Sequence, residues 1–282
     1  MRFVATMLLW LVTTVALAVA VPAGWAQKTL VDVDGYAALA QKAAKDPRLQ
    51  DAMASELTTQ VVALANQRGI SVNQSLVRGV ATAYSASPDF PRQFANANRV
   101  AHAWMFTDSS NQSRDSQGRW RVDLAPMLSD TAFQQMLSGW NIDVPATVEV
   151  PVAVTPADVH PGQLHRVATW GPWVSIGAAV LTGIFALLTL AAARRRGKAI
   201  AALGVSALLV GAGGWAAMEV GRRYIDDALN HTTGDVRKVA DVMVGYAEGS
   251  LHQWLNLTLA AGGALVVFGI ITTMLGSLRK AG

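Results

Sequence analysis

The stretch WGPWVSIGAAVLTGIFALLTLAAA (170–193), RRRGK (194–198), AIAALGVSALLVGAGGWAAM (199–218) decides the fold. Two apolar runs flank a five-residue link that holds four basic side chains. A helix crossing the hydrocarbon core needs about 20 mainly apolar residues, so each run predicts a membrane span. Lys and Arg concentrate on the cytoplasmic side, which makes 194–198 a tight cytoplasmic turn. Outward from this hairpin, 254–276 is another span, and 277–282 is a basic tail. Toward the other end, 3–21 is apolar behind Arg2. With the N-terminus inside, every strong basic cluster falls on one face: Arg2, then Arg194, Arg195, Arg196 and Lys198, then Arg279 and Lys280. These residues set the topology. Trp25, Trp170, Trp173, Trp215 and Trp254 mark the outer ends of the spans as an aromatic belt. The expectation is a multi-pass plasma-membrane protein with both termini cytoplasmic.

Residues 1–26 carry two readings. The small residues before a cut after Ala26 fit a secretory signal, and the length of the apolar run fits an uncleaved signal anchor. Either way, 27–166 is exported.

Composition agrees with a membrane protein: 52% of the 282 residues are hydrophobic and only 15% charged, against about 25% charged in soluble domains. The formal charge of +4 does not point to nucleic acid, because 27–166 holds 12 Lys/Arg against 13 Asp/Glu and the excess sits at the span ends. There is no cysteine, which rules out disulfides, thiol catalysis and cysteine-based metal sites. The cytoplasmic surface left by this topology has no room for an ATPase or DNA-binding domain.

Within 27–166, Asp34 is expected to cap a helix over 35–44, and Asp46-Pro47 to open an amphipathic helix stopped by Gly69. Its stripe is Leu49, Met53, Leu57, Val61 and Leu64. Ser71-Val-Asn-Gln74 reads as a capping box for a third helix, and Ser87-Pro88 as the start of a fourth. A solvated loop over 107–118 comes next, then an alternating segment at 119–124, a helix over 126–137 and a second alternating segment at 147–154. The two alternating segments predict a small β-ribbon, and 155–164 is a linker. The fold class is therefore mainly α. It has four transmembrane helices and an α+β, mostly helical, extracytoplasmic domain. A second exported piece, 221–253, has helical spacing broken near Gly234 and an acidic balance, so docking on protein suits it better than lying on a membrane.

The order of these landmarks is itself informative. A "DPRLQDAMASELTTQV" helix, an "ANRVAHAW" helix, "RVDLAPML", "IDVPATVEV" and a "RRYIDDAL" loop before the last span resemble an uncharacterised integral membrane protein family common in actinobacteria, mycobacteria included. The resemblance covers nearly the whole chain. It implies a cell-envelope location and a shared four-span plan, and it brings no catalytic residues or activity.

Candidate sites are few. Asn98 and His102 share a helix face beside Arg99, a set suited either to an anion or polar headgroup or to tying the helix to its neighbours. His160 and His165 lack a third ligand, so no metal or cofactor is implied. No GxSxG or HExxH motif marks a catalytic site. Ala207 and Gly211, then Gly213 and Ala217, repeat at four-residue spacing and predict close helix packing. The leading expectation is a non-enzymatic envelope protein whose exported helical domain docks a partner protein or envelope component, anchored by the transmembrane helices; the expected partners are membrane lipids and an envelope protein or further copies of the chain. The alternatives are a lipid- or hydrophobe-binding or transport-accessory protein with a groove near 170–173, and a membrane-bound enzyme of unknown type.

Overall fold

The computed structural model describes residues 2–67, 69–106, 121–123, 149–151, 162, 164–193, 195–230 and 234–278. The expected loop at 107–118 and helix at 126–137 lie outside these residues, as does nearly all of the 155–164 linker. The elements are α1 (Arg2–Ala26), α2 (Val33–Ala43), α3 (Pro47–Gln67), α4 (Gln74–Ser85), α5 (Phe90–Phe106), β1 (Arg121–Asp123), β2 (Glu149–Pro151), α6 (His165–Ala192), α7 (Arg196–Leu229) and α8 (Gly234–Leu278). The chain forms two compact units, one of 1–30, 169–223 and 248–282, the other of 31–168 and 224–247.

The first unit holds the apolar helices. Four helices are long and apolar enough to cross a membrane, at Val4–Val31, His165–Ala192, Arg196–Leu229 and Gly234–Leu275. The side chains they expose are the ones hydrocarbon would cover, among them Leu187 at 68% and Leu257 at 64%. The chain is thus a multi-pass membrane protein in its helical architecture.

Each helix outruns its apolar stretch. The first does not stop at residue 21 but runs to Ala26 and through a π-helical turn, Gln27–Val31. The link between α6 and α7 is shorter than 194–198, because Arg195 already accepts from the N–H groups of Lys198 and Ala199 at 3.1 and 3.3 Å. The segment 221–253 is not a pair of independent helices. Residues 221–229 are the end of α7 and 234–253 the start of α8, which is 45 residues long. At 1.5 Å per residue α8 spans about 68 Å, over twice the roughly 30 Å of hydrocarbon. Gly234, at φ +68°, supplies the left-handed backbone at its start.

The second unit is built on α2 packed with α5 and α3 with α4. Its caps differ from the expected ones. Asp32, not Asp34, caps α2 by accepting from Gly35 N–H at 2.7 Å. Asn73, not Ser71, caps α4, taking the N–H groups of Ser75 and Leu76. Helix α5 begins at Phe90 rather than Ser87, with Asp89 accepting from Arg92 and Gln93 N–H. Asp46 does open α3 and also receives Arg48 N–H at 2.9 Å. That pairing with the Arg48 side chain holds the Asp46 carboxyl below the usual aspartate range. At the other end of α3, Ile70 N–H reaches back to the Ala65 carbonyl and Gly69 N–H to Asn66, with Gly69 at φ +72°. This is the left-handed close that only glycine makes without strain.

The core of this unit joins Leu49, Leu57 and Val61 of α3 to Val77 and Tyr84 of α4 and to Phe90 and Phe94 of α5. Tyr84 meets Phe90 edge to face at 5.6 Å. Val242 of α8 belongs to the same cluster, with Val239, Met243 and Tyr246 packed against it. The start of α8 therefore docks on protein. Strands β1 and β2 pair antiparallel, Val122 opposite Val150.

Candidate functional site

The polar set on α5 does not converge. Asn98 donates to the Phe94 carbonyl of its own helix at 2.9 Å. Arg99 reaches across to Asp34 on α2 at 2.8 Å, an ion pair with side chains 43% and 79% exposed. Such a pair is worth about 0–1 kcal/mol. His102 is buried, stacks on Phe106 at 4.2 Å and lies 5.3 Å from the Tyr36 ring. Burial raises the Tyr36 phenol above its ordinary pKa. Asn98 thus bonds its own helix, while Arg99 and His102 both face α2, through Asp34 and the Tyr36 ring.

Among the apolar helices the arrangement is tighter. A Cβ placed on Gly204 of α7 would lie 2.6 Å from the Gly262 carbonyl oxygen and 2.7 Å from Val266 N of α8. On Gly197 it would strike Thr273 Oγ1 and approach the Gly269 carbonyl at 2.8 Å, and on Gly211 it would meet Leu259 Cγ at 2.5 Å. The converse holds on α8, where Gly262 faces Gly204 and Gly269 faces Gly197 and Ala201. The seam is therefore Gly197, Gly204 and Gly211 against Gly262 and Gly269, at seven-residue spacing. A repeat of seven keeps one face on its partner when two helices wrap left-handedly, and small residues let their backbones touch.

The four-residue pairs of the same region divide. Ala207 and Gly211 lie in the seam, Ala207 against Gly262. Among the described residues Gly213 and Ala217 are open: a Cβ on Gly213 meets nothing within 4 Å, and Ala217 is exposed. The seven-residue signal is present in the sequence and is carried by glycine alone.

Helix α1 is held by polar groups. Trp10 Nε1 donates to the Ala202 carbonyl at 2.8 Å, and the Thr14 and Ser206 hydroxyls share a hydrogen bond at 2.8 Å. The Thr13 and Thr189 hydroxyls stand 3.5 Å apart, joining α1 to α6. Thr13, Thr189 and Ser206 are all buried. Trp25 Nε1 reaches Ser250 of α8 at 3.3 Å. Backbone stays helical through Ala26, where the sequence offers a cleavage site.

Beside the seam lies an apolar groove of about 490 Å³, lined by Ala18 and Pro22 of α1, Gly213, Ala217 and Met218 of α7, and Leu251 of α8. Pro22 brings no N–H to the helix, so the Ala18 carbonyl in the groove wall loses its usual partner. At the level of the groove and one turn beyond it, α7 and α8 also meet through polar groups. Trp215 stacks on His252 at 3.8 Å and donates to Asn256 Oδ1 at 3.3 Å. Arg222 Nη1 stands 3.7 Å from Glu248 Oε2. The other oxygen, Glu248 Oε1, is buried and accepts no hydrogen bond among the described residues.

Of the basic residues that set the expected topology, Arg194, Arg279 and Lys280 lie outside the described residues, as does the side chain of Arg2. Arg195, Arg196 and Lys198 sit at the start of α7. Among the described residues no group of three His, Cys, Asp or Glu is placed to hold a metal ion. No family model, curated protein or solved structure matches the chain.

Proposed function

We propose that the chain is a non-enzymatic cell-envelope protein of the actinobacterial group it resembles. Both termini are cytoplasmic, and α1 is retained as a signal anchor. An α+β, mostly helical extracytoplasmic domain with a small ribbon docks a partner protein or envelope component. The observation that carries this reading is what the second unit does with its polar side chains. Asp32, Asp46 and Asn73 close helix ends. Asp34–Arg99 and Asp51–Arg78 join α2 to α5 and α3 to α4. Polar groups committed to fixing helices in place suit a domain that presents a shaped surface. Leu76 and Val100, 54% and 66% exposed, stand on two of those helices.

Two measurements test it. Photo-crosslinking amino acids at Leu76 and Val100 in native membranes are expected to capture one specific envelope protein, and recovery of uncrosslinked chain alone from both sites overturns the docking role. Because the chain has no cysteine, Gln67→Cys and Lys198→Cys report sidedness without background. An impermeant maleimide added to intact cells is expected to label the first and spare the second. The reverse pattern inverts the topology.

A further inference from the structure

We propose that the groove and the Arg222–Glu248 pair form one binding site for a single phospholipid of the surrounding bilayer, its acyl chain in the groove and its head group on the pair. This goes beyond partner docking and rests only on the membrane character of the apolar helices. The groove exists because α7 places Gly213 and Ala217 where larger side chains would fill it. Its volume, about 490 Å³, is within the roughly 300–1,000 Å³ of small-molecule sites. In a hydrocarbon surround, the chain available to fill it is a lipid tail.

The head-group assignment comes from the next turn of each helix beyond the groove wall. Met218 and Arg222 are four residues apart on α7, about 6 Å along the axis, and Leu251 and Glu248 are three apart on α8. The groove wall thus leads in one turn on each helix to the ion pair. Arg222 is 61% exposed and free to take a phosphate oxygen on its open side. Glu248 is only 16% exposed, its contact with Arg222 is a long 3.7 Å, and among the described residues its buried Oε1 lacks a donor. A buried carboxylate oxygen without a donor is costly. A phosphate for the cation and an N–H or O–H for the carboxylate, on a molecule that also carries an acyl chain, describes a phospholipid with an ethanolamine or glycerol head. Choline carries the same phosphate and no such donor, so the site is expected to discriminate against it.

Native mass spectrometry of the full-length protein, released from nanodiscs holding equal phosphatidylethanolamine, phosphatidylglycerol and phosphatidylcholine, tests this. One retained phospholipid is expected, with a donor-bearing head favoured over choline about tenfold, the worth of one hydrogen bond to a charged group. Gly213→Leu with Ala217→Leu is expected to remove the retained lipid while leaving the melting temperature near wild type, since both positions are open. Glu248→Leu is expected to flatten the head-group preference. Equal retention by wild type and the groove variant means loosely held boundary lipid only and overturns the proposal, as does retention without head-group preference. A groove variant that loses dimer mass instead of lipid mass assigns the groove to a second copy of this chain, and also overturns it.

Discussion

The seam between α7 and α8 and the core of the second unit solve the same problem with opposite materials. In the second unit, water drives association, so large apolar side chains are buried: Phe90, Leu49 and Leu57 reach 0% exposure. In the apolar unit the surroundings are as oily as a leucine, and burial of apolar surface gains nothing. What holds the helices is backbone contact, which requires the side chain to be absent, as at Gly204 and Gly262, and hydroxyl or indole hydrogen bonds such as Thr14–Ser206. One region is therefore sensitive to lost atoms and the other to added ones.

Truncation should hurt the core most. Phe90→Ala is expected to destabilise the second unit by about 3–5 kcal/mol through loss of burial and an unfilled cavity, read as a drop in denaturant midpoint. A loss under about 1 kcal/mol would mean that Phe90 is not central to that core. Addition should hurt the seam next. Gly204→Ala is expected to cost about 1–3 kcal/mol, because the new methyl meets backbone that has no rotamer to yield. Gly213→Ala, one open methyl on the same helix, is expected to be near neutral, so equal melting temperatures for the two variants would break the seven-residue reading. Thr14→Val should cost about 0.6 kcal/mol, the mean for hydrogen bonds between spans, and Ser206→Ala added to it should cost little more if the two hydroxyls act as one bond. The smallest effect is electrostatic. The Asp46 pKa is lowered in the folded state, so its contribution is full at neutral pH and is lost as pH falls below the ordinary aspartate value of about 4. An acid titration of Asp46→Asn is expected to lack that part of the wild-type decline.

These contrasts also separate the legible parts of the fold from the hidden ones. Apolar runs identify spans because length and hydropathy suffice, and of the stripe in α3 Leu49, Met53, Leu57 and Val61 are buried as the spacing requires, with Leu64 half-buried. Caps are harder. Asp32 and Asp34, or Ser71 and Asn73, are equally able acceptors two residues apart, and only backbone geometry chooses between them. Helix ends past the apolar runs are also hidden. Gly221 reads as a boundary, yet it sits inside α7, where a helical glycine costs only about 1 kcal/mol, too little to end a helix 34 residues long. The seam is obscured because small residues abound in 199–218, and a four-residue pattern appears among them by composition alone. The open wall made by Gly213 and Ala217 is likewise invisible, since a sequence does not say which small residues face a helix and which face a gap.

The Thr14–Ser206 bond joins residues 192 apart in the chain, and that separation sets a clock. At roughly 5–20 residues per second of synthesis, α1 waits about ten to forty seconds in the bilayer before its partner helix has been made. For that interval Thr13 and Thr14 have the Leu9 and Trp10 carbonyls of their own helix as acceptors, while the Trp10 indole is without its Ala202 acceptor. Helix α1 thus stands in the bilayer before α7 and α8 exist, and because its Trp25–Ser250 contact beside Ala26 waits for α8, a peptidase acting at Ala26 meets an undocked helix only until α8 is made.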